Sequence, residues 1–305
     1  MAEVTTENLT PEAPVTENGE IPEAPVTEGG EVPTPETEVP ETPVAEVPET
    51  EVPDAEAPEV TEPTQVKIGT EGDDDLSAAD SPDSPWTISG LDGDDYLNGG
   101  QNDDNILGGD GNDTISGSDG DDALYGEAGN DSIFGDLGAD EIFGGSGEDE
   151  LNGGDDNDYM EGGTGDDQVF GNSGDDQLFG GEGNDVLEGG YDNDVLSGDA
   201  GDDQLSGGEG NDVLSGGEGV DYLTGGEGAD TFDVTDAFGT GDTSSTNYIT
   251  DFNFADGDTI RVGTGGAVAS EIAGSDNVQI TLSDGSIAGI VENADVFEVN
   301  GSLVV

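Results

Sequence analysis

The sequence predicts an all-β fold: a right-handed parallel β-roll of nine-residue repeats, preceded by a disordered Pro/Glu-rich segment and followed by a small β cap. Three observations predict it. From Gly90 to Asp233 the chain divides into 16 consecutive nine-residue windows with no insertion or deletion. The first position is Gly and the sixth is Asp in all 16. The eighth is always apolar, from Leu97, Ile106 and Ile115 to Phe232. A Gly/Asp-rich composition alone would not hold an apolar residue at one phase over that length, so the period is architectural.

Residues 1–66 come first. Twelve of the 14 prolines lie between Pro11 and Pro63, and PEAPVTENGEI is followed by PEAPVTEGGEV. Proline at this density forbids helices and central strands. The expectation is a solvated, acidic, polyproline-II-biased linker extended by self-repulsion. Residues 67–89 follow as a first repeat and an N-terminal cap. GTEGDDDLS from Gly69 fits the window with Asp74 at position six, and Trp86 in AADSPDSPWTISG is expected to cover the end of the roll.

Within residues 90–233 each position has a physical role. Glycines at positions one, two and four are expected to permit φ > 0 and a tight turn. Position four departs from Gly only at Asn102, Asp156 and Asp192, the residue types that best tolerate the left-handed region. Positions seven to nine are expected to form a three-residue strand whose middle side chain points inward, leaving positions seven and nine to face water. Val213, for example, is placed on the outer face and Leu214 inside. Two consecutive windows then make one coil with a strand on each side, and stacked coils make two parallel sheets back to back.

Charge carries the argument to function. Stacking aligns position six of each window with position six two windows later, in columns about 4.8 Å apart per coil. The column residues are Asp95, Asp104, Asp113, Asp122, Asp131, Asp140, Asp149, Asp158, Asp167, Asp176, Asp185, Asp194, Asp203, Asp212, Asp221 and Asp230. Like charges at that spacing repel, and a core of two inward residues per coil cannot offset the repulsion. A divalent cation between successive turns removes it. Oxygen-only donors, carboxylates and backbone carbonyls, select hard ions, and calcium accepts irregular oxygen shells more readily than magnesium.

Residues 234–305 read as a β cap. YITDFNF, DTIRV and VQITL have strand composition, and VQITL-SDG-SIAGIV and VFEV-NG-SLVV read as hairpins.

Composition excludes several functions. The 305-residue chain carries 76 Asp and Glu against two bases, Lys67 and Arg261, for a net charge of −74. That leaves no basic patch for nucleic acid or anionic lipid. There is no Cys and no His, which removes disulfides, thiolate metal sites, Ser-His-Asp and Cys-His catalysis and HExxH zinc sites. No apolar run is long enough to span or insert in a membrane. The N-terminus has neither the basic nor the apolar region of a secretory signal peptide.

The windows resemble the GGxGxDxUx nonapeptide of the RTX (repeats-in-toxin, haemolysin-type) family over residues 90–233. The segment ADTFDVTDAFGTGDTSSTNYITDFNFADGDTIRV, through Asp230, Phe232, Asp251, Phe252, Asp256 and Ile260, is similar to the closing segment of serralysin-like proteins. The resemblance implies Ca2+ between turns, held by the position-six Asp residues and loop carbonyls. One ion for each pair of windows i and i+2 sets an upper figure of 14. It also implies type I secretion machinery as a partner, an uncleaved C-terminal signal, and an extracellular or cell-surface location. No catalytic domain is expected, because residues 1–66 cannot fold into one and the usual protease and lipase chemistries need His. The leading expectation is a secreted protein that folds on binding calcium. The alternative is a cell-surface or matrix adhesive protein that uses the calcium-rigidified roll as a spacer toward a surface polymer or cell partner. A polyanion mimic, an ice binder and a carboxylate-pair glycosidase are weaker readings, since neither a flat Thr array nor a single carboxylate pair stands out.

Overall fold

A computed structural model describes residues 65–78, 84–235, 246–262, 267–271, 275–282, 287–294, 299 and 302–304. All lie in the unit Ala57–Val305. The linker expected over residues 1–66, apart from Gln65 and Val66, lies outside the described residues.

Strands follow one another at the period of the sequence. They are β1 (Gln65–Ile68), β2 (Asp75–Ser77) and β3 (Trp86–Asp92), then β4 (Tyr96–Gln101) and a new six-residue strand every nine residues up to β16 (Gln204–Glu209). After these come β17 (Val213–Ser215), β18 (Val220–Glu227), β19 (Thr231–Asp233), β20 (Thr246–Ile249), β21 (Thr259–Arg261), β22 (Ala267–Glu271), β23 (Val278–Leu282), β24 (Ile287–Val291) and β25 (Leu303–Val304). Among the described residues the odd-numbered strands from β1 to β21, with β25, form one parallel sheet of 12. The even-numbered strands from β2 to β20 form a second sheet, which β24, β23 and β22 extend to 13. Partners in the repeats are two windows apart, as in Leu151↔Val169 and Met160↔Leu178. The stack of two-window coils expected from the period is therefore the observed architecture.

The core is a row of position-eight side chains between the sheets. Leu97 to Phe232 are all 0–2 % exposed. Leu76 of the isolated early window packs against the same core. Each turn is completed by inter-coil backbone bonds, such as Gly111 N–H to Ala128 O at 2.7 Å.

Four expectations are corrected. First, strands are six residues long because positions seven to nine run on into positions one to three of the next window, leaving only positions four to six as the turn. Second, position-one glycines do not adopt positive φ; position two does, and so does position four in every window but that of Gly210. Position two has φ between +67° and +123° in all 16 windows, including Leu91, Glu127 and Asp199. At position four, Asn102, Asp156 and Asp192 sit at +85°, +78° and +75°, so these turns keep the left-handed geometry. Third, Trp86 does not close the stack. It begins β3 and pairs with Gln65 of β1, so another coil lies beyond it. That coil is offset by more than two windows, as in Leu76↔Leu97, so a three-residue insertion separates it from the repeats. Fourth, positions seven and nine lie on the outer faces but cover one another. Tyr125 stacks on Phe143 at 5.2 Å, and Phe143, Tyr159 and Phe179 continue the row at 5.8 and 5.3 Å.

In the cap, β23 and β24 form the expected antiparallel pair. YITDFNF is a strand only to Ile249. Most of the VFEV-NG-SLVV hairpin lies outside the described residues, and its last strand, β25, pairs in parallel with β21.

Candidate metal centre

The sixteen position-six aspartates are each 0–3 % exposed. Each follows the turn of positions four and five, and its side chain folds back under the turn, opposite the exposed position five. Its backbone is fully used. The carbonyl of Asp95, for instance, accepts the Thr114 N–H at 2.8 Å. The two carboxylate oxygens differ. Oδ1 accepts the backbone N–H of the matching residue one coil earlier: Asp95 N–H to Asp113 Oδ1 at 2.8 Å, Asp113 N–H to Asp131 Oδ1 at 2.7 Å, Asp149 N–H to Asp167 Oδ1 at 2.8 Å. The two columns start on Asp74 N–H to Asp95 Oδ1 and Trp86 N–H to Asp104 Oδ1, at 2.7 and 2.6 Å. Oδ2 is buried and has no hydrogen-bond partner in any of the sixteen.

A buried carboxylate oxygen without a partner loses its hydration and regains nothing. The protein offers no cation to the columns. The Arg261 guanidinium pairs with Asp233 at 2.8 Å. The Lys67 ammonium donates to the Ser77 carbonyl and lies 5.3 Å from the centre of the Trp86 ring. Burial therefore pushes the carboxyls up. Asp113 and Asp185 rise to about 6, Asp140 and Asp203 to about 7, and Asp122 and Asp158 to about 8. At Asp122 the Asp104 N–H works against burial, while the charges of Asp140, Asp104 and Asp103 add to it.

The position-one glycines show what Oδ2 faces. A Cβ on Gly108 would overlap Oδ2 of Asp113, in its own window, and the carbonyl oxygen of Gly126, one coil on. The same pair of oxygens brackets the first glycine of each of the 14 windows from Gly90 to Gly207. Carboxylate and main-chain oxygen thus converge beside each of these glycines, where a Cβ would overlap both. Among the described residues no three carboxylate, His or Cys side chains form a metal-binding group. An ion at these points would take one carboxylate per window and fill its shell with backbone carbonyls, the donor set of a hard cation with flexible coordination.

Sequence reasoning missed the role of position five. Its side chains form an exposed second ladder running the other way. Asp94 Oδ1 accepts the Asn112 N–H at 2.9 Å, Asn112 Oδ1 that of Asn130 at 2.8 Å, and Asn193 Oδ1 that of Asn211 at 3.0 Å. The signal was there, since position five is Asp or Asn in 12 windows. At the C-terminal end Asp258 continues one column by accepting the Asp230 N–H at 3.1 Å, and its Oδ2 accepts the Asn253 N–H at 2.7 Å. Asp251 accepts the N–H groups of Gly225 and Gly226, both at 2.9 Å.

The family model for the RTX calcium-binding nonapeptide repeat matches residues 87–115, 107–142, 116–151, 134–169, 170–205 and 197–232. No curated protein matches the chain. Among solved structures it is similar to the AlgE6R3 subunit of the Azotobacter vinelandii mannuronan C5-epimerase, at 24 % identity over 50 % of this chain and 80 % of that one, with a TM-score of 0.24. It is similar to a hyperactive, Ca2+-dependent, β-helical antifreeze protein from an Antarctic bacterium, at 20 % identity over 73 % and 95 %, TM-score 0.29. It is also similar to the extracellular lipase LipA of Serratia marcescens, at 19 % identity over 74 % and 40 %, TM-score 0.18.

Proposed function

Because residues 87–232 belong to the RTX calcium-binding nonapeptide-repeat family, we propose that this chain is a secreted calcium-binding protein whose β-roll folds as its position-six aspartates take up calcium. The observation that carries the reading is the set of sixteen buried Oδ2 atoms without a partner. Bound calcium would supply the positive charge that these oxygens lack. Asp95 to Asp230 hold the carboxylates in columns, the inter-coil N–H groups orient each Oδ1, and the position-one glycines admit Oδ2 and a carbonyl to the same point. The first glycines from Gly90 to Gly207 give 14 such carboxylate–carbonyl pairs, and Gly69 gives another with Asp74 Oδ2 and the Gly90 carbonyl.

The same charge explains a conditional fold. A ligand that binds only the folded state stabilises it by mass action. At low calcium the columns stay unfolded and the chain stays competent for export by a type I route; at the weak extracellular range of about 10⁻⁴–10⁻³ M the sites fill. The test is a calcium titration of the full chain with ion counting and far-UV circular dichroism. Gain of β signal alongside uptake of many ions is expected. A fold indifferent to calcium, or uptake of only one or two ions, overturns the reading.

A further inference from the structure

The nine-residue period ends at Asp233, but the stack does not. On the thirteen-stranded sheet β20 pairs with β18 in the register Asp221↔Asn247, a separation of just under three windows instead of two. Asn247 therefore stands in the column where another position-six aspartate would stand. It is 1 % exposed and Asp221 is fully buried. Asn247 Nδ2 donates to the carbonyl of Ala288, on β24, at 3.4 Å. That bond fixes the amide orientation, since only the nitrogen can donate to a carbonyl. Oδ1 is thereby aimed the other way, where it is buried and has no partner.

Oδ1 faces Asp221 Oδ2, which also has no partner. A Cβ on Gly216 would overlap both atoms. One coil earlier in the same column, Gly198 is bracketed by Asp203 Oδ2 and the main-chain carbonyl of Gly216. At Gly216 the side-chain amide oxygen of Asn247 has taken the place of that carbonyl. The other column ends differently. The three atoms nearest a Cβ on Gly225 all belong to Asp230, and both oxygens of Asp258 already accept N–H groups.

We propose that Asp221 Oδ2 and Asn247 Oδ1 are ligands of one further calcium ion, between the last windows and the C-terminal cap, that ties the cap to the roll. Amide oxygens are ordinary calcium ligands. An amide also does here what a carboxylate could not: one end faces the cation while the other donates to the cap strand at Ala288. The proposal rests on the reading of the roll as a calcium ladder.

The experiment counts ions bound to the full chain by native mass spectrometry across a calcium titration, for wild type, Asn247→Ala and Asn247→Asp. Asn247→Ala should bind one ion fewer. Asn247→Asp should keep the wild-type count, since a carboxylate oxygen replaces the amide oxygen on the ion, and should shift that one binding step by about tenfold, because it adds ligand charge and loses the donor to Ala288. An Asn247→Ala chain with the full count, or an Asn247→Asp chain that titrates like wild type, overturns the proposal while leaving the ladder intact. A wild-type chain that binds no calcium overturns the ladder itself. If Asn247→Ala does not fold, the Asn247→Asp titration decides alone.

Discussion

Removing calcium should make the fold depend on pH in a definite direction. The perturbation is a chelator added to the full chain, followed by a pH series from about 8 down to about 4.5. In the folded, calcium-free roll, burial holds Asp104, Asp113 and Asp176 at about 6, Asp131 and Asp167 at about 7, and Asp122 at about 8, all from an ordinary 3.8. Between 3.8 and those values the folded chain binds more protons than the unfolded chain, so its stability falls as pH rises through the window. Ionising one carboxyl held at about 6 costs about 3 kcal/mol at neutral pH, and one held at about 8 costs up to about 6 kcal/mol once the pH has passed it. A few such sites exceed the whole stability of an ordinary domain, about 5–15 kcal/mol. The calcium-free roll should therefore be unfolded near pH 7.5 and regain β signal toward pH 4.5, where the carboxyls are neutral. Calcium should reverse the trend, since its ligands must be ionised. Far-UV circular dichroism reads the fold, and sedimentation separates refolding from aggregation. A calcium-free chain with full β signal at pH 7.5, or one that gains structure as pH rises, would refute the argument.

Other expectations follow from particular contacts. Gly162→Ala forces a Cβ against Asp167 Oδ2 and the Gly180 carbonyl; it should raise the calcium needed for folding and lower stability by about 1–3 kcal/mol in a calcium-dependent melt. Gly165→Asn, at φ +130°, puts its Cβ against the Gly147 carbonyl oxygen, so the turn must relax toward the +85° of Asn102 and the change should cost about 1–3 kcal/mol. Leu151→Ala removes a fully buried core side chain and should cost about 2–5 kcal/mol in denaturant unfolding with calcium saturating. Asn193→Ala removes the acceptor of the Asn211 N–H and the donor to Asp175 Oδ1; in that exposed ladder the loss should be about 1 kcal/mol, without any change in ion count.

The sequence announced the fold through one coincidence of numbers. Lateral partners are two windows apart, so every position stacks on its own kind, and a residue invariant along the chain is invariant along a column. Leu151 and Asp149 could be placed from that alone. Position one could not. Gly207 was expected to supply a turn, yet its real constraint is non-local: Asp212 Oδ2 on one side and the Gly225 carbonyl on the other. The two causes leave different traces. Position two has positive φ in every window and still accepts Leu91, Ser118, Glu127, Asp136, Asn172 and Asp199. A left-handed turn therefore admits substitutes. Position one is Gly throughout without a positive φ, and what sets it apart is the carboxylate Oδ2 that a Cβ there would meet. Asn247 was out of reach because its separation from Asp221 is not a whole number of windows, so no period points to it. The coil outside Trp86 was hidden by the same kind of irregularity, a three-residue insertion.

The two-window offset also gives the chain a parity. From β1 to β21 each strand pairs with the next but one. Gain or loss of an even number of windows returns every later strand to its own sheet, whereas an odd number sends all of them to the opposite sheet. GGEGNDVLE from Gly180 and GGEGNDVLS from Gly207 are near copies three windows apart. Unequal recombination between their coding sequences would delete one and a half turns. The column that ends on Asn247 would then be joined to the aspartates that now lead to Asp258, and the one that ends on Asp258 to those that lead to Asn247. Length variants of this gene are therefore expected to fall into two structural classes, set by whether the number of windows is even or odd.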